Sequence, residues 1–375
     1  IILLTKSVGG NFMLVQAPVL IKANSQMPML DLELDEPRFG EVRVKMVASG
    51  VCHSCLHAYD GSHTGIPMPI VLGDEGSGIV DAVGPGVSNL EKGDHVVISW
   101  APTCGACKYC NLGFPALCMN TPAIGKTTGD VTLFHHDGKD VHHYGPSTYG
   151  SYIVLPESGA VKIRKDFPLE VAALIGCSVA TGFGSVVNSA GLRAGQSIAV
   201  FGCGGVGLNA IQGAVATGAY PIIGIDVLDS KLEMARHFGA THTINLAKDD
   251  LEAEVKRITG NGVDASIVAV GNIKAMEQGL IILAKQGVEV VLGLPGQGEK
   301  FPVDPWLLMG GERRIIGSRY GTSNPLVEFP KLVELAISGR IKIDELVTKR
   351  YDLDQADEAF RSLAAGEQAR GLIVF

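Results

Sequence analysis

The chain of 375 residues has no excess of positive charge and no basic run. Its 31 lysines and arginines stand against 39 aspartates and glutamates, a formal net charge of −8. Without a basic stripe it lacks the electrostatic footprint of a nucleic-acid binder and has nothing to draw it to an acidic membrane. Long hydrophobic runs are missing too: no uninterrupted apolar stretch approaches the ~18 residues of a membrane span. The balance of 46% hydrophobic and 19% charged residues suits a soluble α/β protein long enough for two domains. The opening Ile-Ile-Leu-Leu-Thr-Lys is too short for a signal-peptide core and no small-residue cleavage site follows it. Residues 1–12 are read as a leader or tag remnant, or as an ordinary first strand. The eight cysteines are clustered in a large chain, which fits metal thiolates in a cytoplasmic protein better than a disulfide scaffold.

Glycine is abundant, at 48 of 375 residues, so a lone G-x-G-x-x-G match carries little. The stretch Ser197–Asp226 gives it a context. Ser197–Phe201 reads as a buried strand, and Gly202, Gly204 and Gly207 follow with Gly205 and Val206 between them. An Ala-rich helical segment comes next, then a second apolar strand ending at Asp226, 19 residues after Gly207. In this pattern Gly202 allows the tight turn, Gly204 lets backbone approach a pyrophosphate, and Gly207 lets helix and strand pack closely. The helix N-terminus offers free N–H groups to the phosphates. Asp226 at the adenosine ribose favours NAD over NADP.

Residues 13–100 alternate short apolar segments with Gly/Pro/Asp turns; Glu41–Val51 has strand-like alternation and Ile70–Val83 is rich in glycine and β-branched residues, which reads as an antiparallel, barrel-like domain of short strands. Residues 119–150 read as a polar insertion with the pairs His135/His136 and His142/His143, a solvated loop rather than a metal-binding tract. From about residue 179 strand and helix alternate. Candidate strands are 197–201, 221–225, 241–245, 264–270, 287–293 and 313–317, with helical periodicity in Ser230–Phe238 and Lys274–Ala284. The expected fold is therefore a doubly wound parallel Rossmann sheet, residues 179–319, plus a discontinuous, mainly antiparallel, barrel-like catalytic domain. That domain takes residues 1–178 and, through the helical stretch Val327–Ser338 and a last strand near Leu372–Phe375, residues 320–375.

Cys104, Cys107, Cys110 and Cys118 lie in CGACKYCNLGFPALC, inside the loop 101–118. Four thiolates at this spacing satisfy a tetrahedral, closed structural zinc; an iron–sulfur cluster also accepts four cysteines. Cys52 and Cys177, far apart in sequence, each read alone as a buried small hydrophobe.

The motifs GVCHSC, LGDEGSGIV, the four-cysteine loop, GCSVATGFGSV, GCGGVG with Asp226, and the terminal RGLIVF resemble, in joint order and spacing, those of the medium-chain, zinc-dependent alcohol dehydrogenases, whose catalytic domain is GroES-like. The resemblance covers essentially the whole chain. It implies two zincs per chain, with Cys52 and Cys177 among the catalytic-zinc ligands. It also implies that Ser54 contacts the substrate alcohol and that His57 completes a proton relay through the nicotinamide ribose. Val206 falls beside the nicotinamide, Lys231 near the adenosine ribose, and His53 and Arg370 at the pyrophosphate. Trp100 takes a position that walls the substrate pocket, unless it is a core tryptophan.

Two positions depart from the family pattern. Its Gly-His-Glu motif is here Gly73-Asp74-Glu75, so Asp74 replaces the histidine ligand. The aspartate that usually stands behind that histidine is here Cys55. A ligating carboxylate needs no second carboxylate behind it, and aspartate is an ordinary zinc ligand. The expected shell is Cys52, Asp74 and Cys177, with Glu75 as a possible alternate and Cys55 as a substitute. Its formal charge of −3 makes a weaker Lewis acid than a shell with a neutral histidine.

The resemblance implies oxidation of an alcohol by NAD to an aldehyde or ketone. The substrate expected is a small primary or aromatic alcohol, or its aldehyde. The long 119–150 insertion resembles the dimeric branch of the family, so a homodimer is expected. Pro122 replaces the arginine that glutathione-dependent members carry four residues after the last loop cysteine, which disfavours a glutathione adduct. The competing functions are a zinc-independent reductase of the same superfamily and a catalytically silent NAD-binding protein.

Overall fold

The computed structural model describes residues 12–127 and 129–375. Residues 1–11, which bear on the question of a leader or first strand, lie outside the described residues; Phe12 opens the strand Phe12–Leu20.

Six strands, Ile198–Phe201, Ile222–Asp226, His242–Asn245, Val263–Val268, Leu283–Val291 and Arg314–Gly317, form one sheet. All their pairings are parallel. From Ile198–Phe201 the chain builds outward through Ile222–Asp226 to His242–Asn245. It then returns to the other side of Ile198–Phe201 and continues to the Arg314–Gly317 edge. Connections that leave in opposite directions open a crevice at the C-terminal strand ends. The strand expected at 287–293 begins earlier, because Leu283 already pairs with Val263 before the register shifts.

The remaining strands make a closed barrel and a second sheet. Phe12–Leu20, Met29–Asp35, Phe134–His136, Lys139–His143 and Ile70–Val71 close the barrel. Glu41–Gly50 is central to the other sheet, beside Gly76–Val83 and the C-terminal strand Arg370–Val374. Leu372 pairs with Gly50 and Val374 with Ala48, so the tail returns to the N-terminal part of the chain.

The reading of 119–150 as a solvated loop is corrected. Phe134–His136 and Lys139–His143 form a hairpin that is part of the barrel wall. Its two-residue turn is Asp137-Gly138, both with positive φ (49° and 70°), the conformation that suits a right-handed twisted hairpin. His143 is buried. Its Nε2 accepts from the Leu133 N–H at 3.0 Å and its ring stacks on Phe134. Burial pushes its pKa down to about 3, so the ring is neutral and structural. The glycine- and β-branched-rich stretch Ile70–Val83 forms two short strands, Ile70–Val71 and Gly76–Val83. The break between them delivers Asp74 and Glu75 to the interior.

A different carboxylate sits in the parallel sheet. Glu289 is buried beside its register neighbour Ser266, and among the described residues no donor meets its carboxylate or the Ser266 hydroxyl. A Cβ added at Gly279 in the overlying helix Ile273–Ile281 would stand 2.8 Å from its Oε1. Burial pushes the Glu289 pKa from 4.5 up to about 8. The folded chain thus keeps a proton that the unfolded chain gives up near pH 4.5. The resulting stability is complete below that pH and is lost as pH rises through 8. The span is worth on the order of a few kcal/mol. Thermal unfolding should show Tm falling between pH 5 and pH 9, with a shallower fall in Glu289→Gln, which has nothing to ionise there.

Candidate active site

Two cysteines from distant segments meet at the ends of two helices. Cys52 is the N-cap of the helix His53–Tyr59, and Cys177 is the N-cap of Ser178–Gly184. A helix N-terminus favours a thiolate. Their sulfurs are 3.9 Å apart, and a Glu75 carboxylate oxygen lies within 4.8 Å of both. Two sulfurs at ~2.3 Å from one tetrahedral zinc would be about 3.8 Å apart. Spacing and donor chemistry therefore fit a zinc ion.

Asp74 and Glu75, adjacent in sequence, have different partners. The fully buried Glu75 is ion-paired with Arg370 Nη2 and also accepts from the Ser178 N–H at 3.2 Å. Burial raises its pKa to about 7, against the pull of Arg370. Asp74 makes no ion pair among the described residues. Its Oδ2 accepts a short hydrogen bond from Ser54 Oγ, and its Oδ1 accepts from Cys55 Sγ at 3.5 Å. Burial raises the Asp74 pKa as well. The Cys177 thiol is pushed well up by its contact with Cys52, then by burial and by the charges of Cys52 and Asp74. Cys52, Glu75 and Cys177 bring donor atoms within 4.8 Å of one another, whereas Asp74, expected from the sequence to be the third ligand, is not part of that group; the Arg370 guanidinium is the one ion-pairing cation of the cluster among the described residues.

Ser54 and His57 stand three residues apart on one helix and so share a face. The Tyr144 hydroxyl fixes the Ser54 carbonyl at 2.7 Å. His57 Nδ1 meets Ser62 Oγ at 2.8 Å near the surface. His53, on the solvent side, is crowded by protein and then by the charges of Arg370, His57 and Lys231, and its pKa falls to about 4.

The glycine turn brings the cofactor-type motif to this cluster. Gly202 has φ of 86°, a left-handed conformation that favours glycine. A Cβ at Gly207 would lie 1.8 Å from the Gly202 carbonyl oxygen. Gly204 caps the helix Gly205–Thr217, and a Cβ added there would meet nothing within 4 Å. At Gly205 a Cβ would lie 2.2 Å from Arg370 Cδ, so Arg370 spans from the helix N-terminus to Glu75. Burial opposes the Arg370 charge, but Glu75, Cys52 and Cys177 outweigh it and raise the pKa. Asp226 accepts from the N–H groups of Cys203 at 2.9 Å and Val227 at 2.7 Å. It lines a cleft of about 370 Å³ with Gly202, Val270 and Asn272. Lys231 donates to the Gln368 carbonyl at 2.9 Å, and burial lowers its pKa. Val206 lies half-buried in the first turn of the same helix.

The Trp100 ring packs tilted at 31° against Tyr320, with ring centroids 4.4 Å apart. The Tyr320 hydroxyl makes a short hydrogen bond to the Gly176 carbonyl, the residue before Cys177. Tyr144, Tyr320 and the Glu75–Arg370 pairing were not foreseen from the sequence. Tyr320 follows the sixth strand of the parallel sheet, at the C-terminal side where ligands bind, and that position was the available signal. Cys104, Cys107, Cys110 and Cys118 converge separately, with their sulfurs all within 4.8 Å of one another. This donor set fits a closed four-thiolate zinc.

Two family models match, an alcohol dehydrogenase GroES-like domain over residues 38–165 and a zinc-binding dehydrogenase over residues 205–338. An NDMA-dependent alcohol dehydrogenase from Amycolatopsis methanolica is 38% identical, over 96% of this chain and 99% of that protein. S-(hydroxymethyl)glutathione dehydrogenase from Komagataella pastoris is 35% identical, over 98% of this chain and 99% of that protein. The crystal structure of benzyl alcohol dehydrogenase from Acinetobacter calcoaceticus superposes with a TM-score of 0.92 at 33% identity, over 97% of this chain and 99% of that one. With both domain models in place and relatives aligned from end to end, the chain belongs to the zinc-type medium-chain alcohol dehydrogenases, a family of alcohol and aldehyde oxidoreductases.

Proposed function

We propose that the protein is an NAD-dependent dehydrogenase of a small primary or aromatic alcohol, or of its aldehyde, with a catalytic zinc held by Cys52, Asp74 and Cys177. The observation that carries the ligand assignment is the unequal pairing of the two buried carboxylates. Arg370 already neutralises Glu75, whereas Asp74 has no ion-pair partner among the described residues, so its charge is left to be met by a cation or a proton. With Cys52, Cys177, Asp74 and Glu75 ionised, a divalent ion beside Arg370 brings the net charge of the buried cluster from −3 to −1. Glu75 is the alternate ligand, since its oxygen is already near both sulfurs. A second zinc belongs to Cys104, Cys107, Cys110 and Cys118.

The metal would supply Lewis-acid polarisation of the substrate oxygen. Ser54 takes the proton of the alcohol. His57, one helical turn on and beside Ser62, passes it to solvent. The helix N-terminus at Gly204–Gly207, with Arg370 and His53, receives the pyrophosphate, while Asp226 and Lys231 receive the ribose and favour NAD. The reaction balances as alcohol plus NAD⁺ giving aldehyde or ketone, NADH and a proton.

The catalytic domain in this reading is residues 1–178 and 320–375, and the NAD domain is 179–319. Pro122 argues against a glutathione adduct as substrate. Among the described residues the outer edge of Arg314–Gly317 is unpaired in the sheet, and nearby Leu294, Trp306 and Met309 are exposed. An open edge beside apolar side chains suits a homodimer. The free cysteines suit the cytoplasm.

Elemental analysis should find two zincs per chain, falling to one in Asp74→Ala and staying at two in Glu75→Gln. Two zincs in Asp74→Ala would remove Asp74 from the shell. One zinc in the unaltered protein would favour the zinc-independent reductase. Ser54→Ala should lower kcat about a hundredfold or more, measured as NADH formation with benzyl alcohol, at unchanged zinc content.

A further inference from the structure

A cleft of about 410 Å³ lies between the four-cysteine loop and the C-terminal ends of the last two parallel strands. Its walls are largely apolar, with Phe114, Leu117, Leu292, Leu294 and Pro295 among them. Arg319 is the only charged residue lining it, and no acidic residue does, among the described residues. The Arg319 guanidinium sits 5.2 Å above the Trp100 ring. It is exposed and makes no hydrogen bond or ion pair among the described residues. Trp100 packs against Tyr320, whose hydroxyl reaches the Gly176 carbonyl beside Cys177. Trp100 and Tyr320 thus link Arg319 to the backbone that precedes Cys177.

We propose that Arg319 makes this a site for alcohols or aldehydes that have an apolar body and a carboxylate at the end remote from the reacting carbon. The inference rests on the dehydrogenase reading above and adds the substrate's charge to it. A guanidinium held over an aromatic face keeps its in-plane N–H donors free. In a cleft with apolar walls and no competing acid, those donors are set to take a carboxylate in a bidentate bond. The Phe114–Leu117 and Leu294–Pro295 walls would cover the apolar body of the substrate while Trp100 holds the guanidinium in place.

The test compares 4-(hydroxymethyl)benzoate with its methyl ester, which has the same body without the charge. Binding to the zinc enzyme with NADH is read by quenching of Trp100 fluorescence in a Trp306→Phe background, so it does not depend on turnover. Oxidation is measured in parallel. The acid should bind about tenfold more tightly than the ester or better, and the preference should shrink with added salt. Arg319→Leu should abolish the preference through KM, and Arg319→Lys should restore part of it. Equal binding of acid and ester, binding of neither, or a preference that survives Arg319→Leu would overturn the assignment. Oxidation of both alcohols at equal efficiency sinks only this inference. Binding without oxidation of either counts against the dehydrogenase reading instead.

Discussion

The buried ion pair between Arg370 and Glu75 holds the two halves of the molecule to one geometry. Arg370 is 3% exposed and Glu75 fully buried, so neither charge has water to fall back on. Removing one would strand the other in the interior, which typically costs about 3–5 kcal/mol. Glu75 comes from the break between two strands of the N-terminal domain, and Arg370 from the strand that returns from the far end of the chain. Arg370 also packs on Gly205, where the nucleotide-type helix begins. One interaction thus ties the barrel side, the tail and the parallel sheet together at the point where two thiols converge.

The same pair explains why two adjacent carboxylates differ. Glu75 is satisfied by Arg370 and Ser178. Asp74 has only the neutral donors of Ser54 and Cys55. A histidine in place of Asp74 would bring no charge. Here the extra negative charge must be met by a cation or a proton. Cys55 behind it is consistent with that balance, since a second aspartate would add another anion to a space that already crowds several.

Much of this was legible in the sequence, and the parts that were not share a cause. The parallel sheet announced itself through short β-branched strands, and the glycine turn through its spacing, since each depends on residues near one another in the chain. The four-cysteine loop was legible for the same reason. The meeting of Cys52 with Cys177 depends on contacts more than 120 residues apart, and only family resemblance suggested it. The hairpin at Asp137-Gly138 was missed although its turn signal was present, because the paired histidines made the segment look polar. His143 is buried on the inward side of that hairpin. Arg370 was placed at the cofactor by resemblance, and its bond to Glu75 could not be read from two positions 295 residues apart.

The central claim is a catalytic zinc in a shell of two thiolates and a carboxylate with no histidine. Zinc K-edge X-ray absorption on the purified protein tests it most directly. Averaged over a four-thiolate site and a site with two sulfurs and two oxygens, the account predicts about three sulfurs and one oxygen per zinc, without imidazole scattering. Four sulfurs alone, or a clear imidazole signature, would contradict it.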